Sequence, residues 1–334
     1  MDCRRRTPRS RDDRAATVIL AVAPNPALDV TYGLGELNRG RVQRVRTVSE
    51  RPGGKAVNVG RVLHELGERV LVTGMCGGPG GVALQAALDR AGVPSDLLDV
   101  LPDVRRTLVV QETSGMTTSL WEPGYAPVDP PAAADALTRH VSELLAGADA
   151  LVVSGSLPPG VDPGLPARLV DAAVAAGVPA VVDVSGPALR AAADAGGAVL
   201  MPNADELAEL IGHRPSTPAE AVRAACRLLP PAGRVPAVVL TLGTDGMAVV
   251  RPDRALLAAP PERIQGNATG AGDAACAAVA RHLAAAGSLD AVDWRALLVD
   301  AVALSAAAVL RPVAGEVDVR AYRRWRDQVR VEEA

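Results

Sequence analysis

Short β-branched runs alternate with Ala- and Leu-rich stretches of helical length along most of the chain. Strand-like runs fall at Thr17–Ala23, Arg69–Thr73, Thr107–Gln111, Ala150–Ser154, Ala180–Val184, Ala198–Met201, Ala237–Leu242 and Met247–Arg251. Between them lie helix-like runs at Lys55–Leu66, Val82–Ala91, Ala132–Leu145, Leu165–Ala176, Pro187–Ala195, Asp205–Ile211, Pro218–Leu229, Gly272–Ala286 and Trp294–Leu310. In the first of these Val59, Val62, Leu63 and Leu66 share one face and Gly67 closes the end. Strands that are apolar throughout must be covered on both faces, so the alternation predicts an α/β fold with a mostly parallel central sheet between two helical layers.

Two segments break the rhythm. Thr31–Glu50 and Arg105–Glu122 alternate polar and apolar residues with no helix between. Each suits an antiparallel ribbon, and together they predict a small β lid over about 31–50 and 104–122. A lid at the carboxyl ends of the strands would cover the cleft where open α/β sheets bind ligands. The chain shows no repeats and no interdomain linker, so 17–330 reads as one domain. Residues 1–17 carry six Arg and three Asp, and 1–16 read as a disordered tail. A secretory signal would have only Thr17–Ala23 for its apolar stretch, which reads better as a first buried strand.

Composition removes several function classes. The net charge of −3 and 2% aromatic content argue against a nucleic-acid partner. No apolar run has the roughly 18 residues of a membrane span. Cys3, Cys76, Cys226 and Cys276 form no C-x-x-C pair and have no metal spacing with the four histidines, which fits a reduced, cytoplasmic setting. The core must be built from Ala, Val and Leu, because Phe is absent. Lys55 is the only lysine among 35 basic residues. A coding bias towards Arg explains the other 34; a compact point charge at a phosphate gives a reason for keeping one Lys.

Familiar nucleotide and hydrolase signatures are missing. Gly54-Lys55 is followed by Ala56 and residue 49 is Ser, so there is no Walker A loop. Ser156 lies in Ser154-Gly155-Ser156-Leu157, which is no nucleophile elbow. A dinucleotide turn at Gly77–Gly81 would miss the G-x-G-x-x-G spacing.

Two glycine-rich helix starts remain. Asn267-Ala268-Thr269-Gly270-Ala271-Gly272-Asp273 opens an Ala-rich helix. Backbone N–H groups can converge on an anion there, and Asp273 in the first turn can accept a hydroxyl proton. An anion cradle beside a carboxylate is what phosphoryl transfer to an alcohol needs; alone, the same residues also describe an Asp that caps a helix. Pro52-Gly53-Gly54-Lys55-Ala56-Val57-Asn58 opens another helix. It reads equally as a sugar-binding turn or as a tight turn with a solvated lysine.

With these two in order, the chain after residue 17 resembles the PfkB (ribokinase-like) carbohydrate kinases. It is most similar to the branch with 1-phosphofructokinase and tagatose-6-phosphate kinase. The residues that carry the resemblance are Asn25-Pro26-Ala27-Leu28-Asp29, Gly53–Asn58, Ser154–Gly160, Asp183-Val184-Ser185-Gly186, Pro202–Leu207, Thr241–Gly246 and Gly270–Asp273. The resemblance implies a ribokinase-like three-layer sandwich, a homodimer paired through the lid, and ATP with Mg²⁺. Asp273 would be the base, and Gly270, Ala271 and Gly272 the anion hole. Asn203 and Glu206, an N-x-x-E motif, would organise Mg²⁺ and the ATP phosphates through water. Thr241, Gly243 and Gly246 would line the nucleotide. Asp29, Gly53, Gly54 and Asn58 would hold sugar hydroxyls; Arg41, Lys55, Arg105 and Arg106 are the candidates for the substrate's existing phosphate, with Arg106 matching the Arg of the branch's Thr-Arg-x-Asn element and Ser156 adding a hydroxyl. The implied reaction is phosphorylation of fructose 1-phosphate to fructose 1,6-bisphosphate. Tagatose 6-phosphate or fructose 6-phosphate as acceptor is the alternative. A non-catalytic sugar-phosphate sensor and a dinucleotide-dependent oxidoreductase at Gly77–Gly81 are the readings from other classes.

The chain departs from the branch pattern at Ala56, Gly60, Ala268 and Met201, and at Arg105 and Leu108 on either side of Arg106. Trp121 stands before Glu122-Pro123-Gly124 where Asn or Leu is common. The base and anion hole are intact, so these departures bear on which sugar is bound.

Overall fold

The computed structural model describes residues 17–229 and 235–334; the expected tail at 1–16 lies outside the described residues. The strands are β1 (Val18–Ala23), β2 (Ala27–Leu34), β3 (Thr47–Gly53), β4 (Arg69–Cys76), β5 (Ser95–Asp99), β6 (Arg105–Glu112), β7 (Thr117–Trp121), β8 (Ala150–Ser154), β9 (Ala180–Asp183), β10 (Val199–Leu200), β11 (Val238–Thr241), β12 (Met247–Val250), β13 (Ala255–Ala258) and β14 (Val331–Glu333). The helices are α1 (Lys55–Glu65), α2 (Gly78–Arg90), α3 (Pro130–Leu144), α4 (Leu165–Ala176), α5 (Gly186–Ala195), α6 (Ala204–Ile211), α7 (Pro218–Cys226), α8 (Ala271–Ala286), α9 (Trp294–Val309) and α10 (Val319–Arg326).

Ten strands form one sheet in the order β14-β13-β12-β11-β10-β9-β8-β1-β4-β5. It is parallel from β11 to β5, and β12, β13 and β14 add antiparallel at the other edge. Alternate side chains of each strand feed two separate cores. Ile19, Ala21, Val152 and Val239 pack under a layer that includes α1, α8 and α9. Leu20, Val22, Val153 and Leu240 pack under one that includes α3, α4, α5, α6 and α7. Both faces are therefore buried, as the unbroken apolar strands require. The sheet runs past the expected boundary at 330, because β14 pairs with β13.

The second sheet, β3-β2-β6-β7, is the lid. Each expected ribbon is antiparallel within itself, β2 with β3 and β6 with β7. The two ribbons meet through a parallel pairing of β2 with β6, so the lid as a whole is mixed. That pairing aligns Asp29 with Thr107 and Ala27 with Arg105.

Helix starts differ in how their first amides are met. Asp129, Thr217, Asp293 and Asp318 cap α3, α7, α9 and α10 with side-chain oxygens. Helices α1 and α8 begin instead at Gly54 (φ 93°) and Gly270 (φ 88°), with no side-chain cap. The first N–H groups of a helix have no intrahelical acceptor, so these two ends keep donors to offer. Both lie at the carboxyl end of the parallel strands.

Candidate active site

Asp273 sits in the first turn of α8 and is 7% exposed. Its Oδ2 accepts a hydrogen bond from Asn58 Nδ2 at 2.9 Å. Burial, and then the negative charge of Asp183, push its pKa from 3.8 up to about 7, against the Asn58 hydrogen bond and the charge of Lys55. The result is a carboxylate whose basicity is matched to neutral pH. Gly270 must be glycine: its φ is positive, and a Cβ would lie 2.8 Å from Ala314 Cα. A Cβ at Gly272 would meet nothing within 4 Å. Open space therefore lies beside Gly272 in the first turn of α8.

Asn203 and Glu206 form a reciprocal cap at α6. Asn203 Oδ1 accepts from the Asp205 and Glu206 amides, and Glu206 Oε2 accepts from the Asn203 amide, each at 2.9 Å. Glu206 Oε1 accepts from Ser185 Oγ at 2.6 Å. Thr241 bridges to Asn203 beside this cap. Gly243 (φ 61°) and Gly246 (φ 91°) turn the chain from β11 into β12, and a Cβ at Gly246 would strike the Ala258 carbonyl at 2.1 Å.

Lys55 takes a different place from the one expected of it. Its Nζ donates to Asp183 Oδ1 at 2.8 Å and lies 3.7 Å from Glu206 Oε1. Burial opposes its charge, yet the two carboxylates hold its pKa above the ordinary lysine value. The ammonium thus joins the glycine loop of α1 to the N-x-x-E cap instead of standing free for a phosphate on the sugar.

On the lid, the Asp29 carboxylate lies directly on Gly53, where a Cβ would sit 2.0 Å from Asp29 Cγ. Asp29 accepts from Thr107 Oγ1, and burial raises its pKa against that hydrogen bond. Gly54 faces the Pro26 and Ala27 backbone at 3.2–3.3 Å from a built Cβ. Ser156 Oγ accepts from Asn25 Nδ2, which also donates to the Pro123 carbonyl, fixing the end of the lid to the Ser154–Gly160 loop.

Arg106 is exposed, and its amide donates to Glu122. In the register of β2 with β6 it aligns with Leu28, on the lid face opposite Asp29. Arg105 shares the face of Asp29. Its guanidinium donates to the Asn25 and Glu122 carbonyls, and Asp29 and Glu122 offset the cost of its burial. Of the two adjacent candidates, Arg105 and not Arg106 is thus on the Asp29 face. Arg41 lies in the exposed loop between β2 and β3 and is not drawn into the cluster.

Three groups are given no role by the sequence reading. Asp183 accepts from Lys55 on one oxygen and from Ser154 Oγ on the other. An acid that ends a fully buried parallel strand was the available signal. Arg61 on α1 donates to the Ala314 carbonyl, and Glu316 joins Arg51 of β3 to Arg61. These tie the lid to the loop that packs on Gly270, and nothing in the local sequence announces them.

The glycines of the Gly77–Gly81 turn are filled by protein. A Cβ at Gly77 or Gly78 would strike the Leu101 or Pro102 carbonyl at 1.7 and 2.2 Å. The turn packs a loop and offers no dinucleotide cradle.

For Mg²⁺ the donor chemistry fits one mode of binding. Both Glu206 oxygens and both Asp183 oxygens already accept from protein donors. Among the described residues no three His, Cys, Asp or Glu side chains converge. Such oxygens suit an ion that keeps its waters and rides on nucleotide phosphates.

The model of the pfkB family of carbohydrate kinases matches residues 22–319. Among solved structures, phosphofructokinase-2 from Escherichia coli in complex with potassium is 28% identical, with TM-score 0.84 over 94% of this chain and 98% of that one. A protein described as a possible 1-phosphofructokinase from Thermotoga maritima shares the fold at 24% identity, TM-score 0.81, over 95% and 99%. Arabidopsis thaliana ribokinase complexed with ribose and ATP shares it at 18% identity, TM-score 0.68, over 93% and 99%.

Proposed function

The chain belongs to the pfkB family of carbohydrate kinases and is an ATP-dependent sugar-phosphate kinase, and from that premise we propose that its acceptor is a phosphorylated ketohexose, fructose 1-phosphate first, giving fructose 1,6-bisphosphate. Fructose 6-phosphate, the ligand of one solved Escherichia coli phosphofructokinase-2 complex at 27% identity, and tagatose 6-phosphate are the alternatives.

The observation that carries the kinase chemistry is the buried Asp273 carboxylate beside the uncapped start of α8. Its Oδ1 is left for the acceptor hydroxyl, since Oδ2 is held by Asn58. A carboxylate with pKa near 7 removes that proton more readily than an ordinary Asp as the oxygen attacks the γ-phosphorus. Of the anion hole expected at Gly270, Ala271 and Gly272, the Ala271 amide donates to the Ala268 carbonyl; the Gly272 amide, joined by that of Asp273 and the α8 dipole, meets the charge on the phosphoryl oxygens. Glu206, Asn203 and Asp183 would hold a hydrated Mg²⁺, which when bound neutralises charge on the ATP phosphates. Lys55, between the sugar loop and the N-x-x-E cap, keeps Asp183 and Glu206 compensated. Asp29 is placed for sugar hydroxyls and Arg105 for the phosphate already present. Closure of the lid would exclude water that otherwise competes for the phosphoryl group.

A homodimer through the lid is supported by Val48 and Leu120, both exposed on the lid face opposite Asp29; light scattering of the purified protein tests it. A coupled ADP-release assay with Mg-ATP tests the function. Its panel holds fructose 1-phosphate, fructose 6-phosphate, tagatose 6-phosphate, free fructose and ribose. Turnover of one phosphorylated ketose, lost in Asp273→Asn, is the expected result. Turnover of free sugars alone would overturn the acceptor assignment.

A further inference from the structure

The lid carries one large side chain that the site described so far does not use. Trp121 ends β7 and is 70% exposed, whereas Trp294 and Trp325 are 6% and 2% exposed. Its place is fixed by two registers. Asp29 pairs with Thr107, and Thr107 pairs with Trp121, so the three form one row across β2, β6 and β7. Residues in one such row project to the same face of a sheet. Trp121 therefore stands on the Asp29 face, two strand spacings or about 10 Å from it, close to the length of a hexose phosphate.

Its immediate surroundings point the same way. Arg105, on the same face, donates to the carbonyl of Glu122, the next residue along the chain. The Pro123 carbonyl is held by Asn25, which also donates to Ser156. The backbone that follows Trp121 is thus bonded to the cation and, through Asn25, linked to the Ser156 hydroxyl available to the acceptor's phosphate. The exposed aliphatic residues that suit a second copy, Val48 and Leu120, belong to the other face.

We propose that Trp121 is a substrate-contacting and specificity-determining residue: its indole covers the apolar C–H face of the sugar phosphate between Asp29 and Arg105. The inference rests on the sugar-kinase reading of this face, but not on which sugar is used. Indole gives a broad apolar surface at small conformational cost and tolerates polar groups at its rim, which suits one face of a sugar. Removing it leaves the acceptor held by polar contacts alone, which loosens binding of the sugar without touching the nucleotide.

Tryptophan fluorescence provides the test, because Trp121 is the one exposed tryptophan of the three. The wild-type chain is titrated without nucleotide with each sugar of the panel, and each is assayed for turnover with Mg-ATP. With the sugar that is turned over, the emission should shift or quench in a saturable way, and Trp121→Phe should abolish the change. Trp121→Ala should raise KM for that sugar on the order of tenfold and leave KM for ATP in place, with Trp121→Phe recovering part of the loss. The proposal is overturned if the turned-over sugar leaves the emission unchanged at concentrations that saturate the rate. It is equally overturned if Trp121→Ala changes oligomeric state but not KM, which would make the ring a contact between copies. Free fructose as the responding sugar would sink the phosphorylated-acceptor reading and keep this one.

Discussion

Replacing Asp273 with Asn should make the protein more stable and nearly inactive, and the gain in stability should grow with pH. The native pKa of about 7 against 3.8 corresponds to about 4 kcal/mol, at about 1.4 kcal/mol per pH unit. The sign follows from which state binds the proton more tightly. Below about pH 4 both the folded and the unfolded chain hold it, and the group is neutral in the balance. Between about 4 and 7 the unfolded chain releases the proton while the native site retains it, so stability falls as pH rises. Above 7 the native carboxylate is ionised too, and the full cost of holding that charge in a buried site beside Asp183 is present. Asparagine keeps an oxygen for the Asn58 amide and never ionises. Relative to wild type, Asp273→Asn should therefore gain about 3 kcal/mol more at pH 8 than at pH 5, roughly 5 °C in Tm for a chain of this size. Differential scanning calorimetry of both proteins at three or four pH values measures it, and single-turnover assays at pH 8 should show the rate down by about 10²- to 10⁴-fold. A stability difference that stays flat from pH 5 to 8 would refute the reasoning, because the native carboxylate would then titrate as it does in the unfolded chain and would not be raised at all.

The same carboxylate should give kcat/KM an acid limb near pH 7, the rate falling as pH falls. Asp183→Asn should move that limb to lower pH and Lys55→Met to higher pH, and shifts in one direction for both would break the electrostatic assignment. Arg105→Ala should raise KM for the sugar phosphate at least tenfold, a charge-assisted contact being worth about 1.5–3 kcal/mol, while Arg106→Ala stays within about threefold; a pH 8 initial-rate series on both variants decides between them. Gly272→Ala should fold with wild-type stability and lose phosphoryl transfer, since its Cβ enters open space over the anion cradle. Gly270→Ala should lose stability as well, by more than 1 kcal/mol in urea melts, because of its positive φ and the contact with Ala314. Equal melts for the two would show that Gly270 is not under the strain the backbone implies.

The parallel sheet was legible because its strands need no neighbour to explain them. Val18–Ala23 and Ala150–Ser154 are apolar at nearly every position, and only burial on both faces accounts for that. The edges were not legible for the converse reason. Ser-Asp-Leu-Leu-Asp of β5 and Val-Glu-Glu of β14 carry too few apolar residues to signal a strand, and they become strands by pairing with β4 and β13. Helix α10 is masked by its arginines. Ala321, Tyr322 and Trp325 are its buried residues, and the charged remainder obscures that short apolar face.

The glycine helix starts, Asp273 in the first turn of α8 and the N-x-x-E cap were legible as types at spacings, because each is set by the backbone or by its own helix. What was not legible depends on how separate segments come together. Lys55 looked like a phosphate ligand while its surroundings were unknown. Once β9 and α6 bring Asp183 and Glu206 to it, the lysine is the cation that compensates two buried carboxylates. The pairing also places a positive charge within influence of Asp273, so one residue compensates three acids. The lid cation turns on a single step of register. Side chains alternate along a strand, so Arg105 and Arg106 must face opposite ways. Which of them shares the face of Asp29 is decided by the alignment of β6 with β2, a contact between segments more than 70 residues apart. The same alignment carries Trp121 onto the Asp29 face. A motif read along the chain sees two adjacent arginines and an odd tryptophan; the pairing of β2 with β6 and β7 gives Arg105 and Trp121 one face and sends Arg106 to the other.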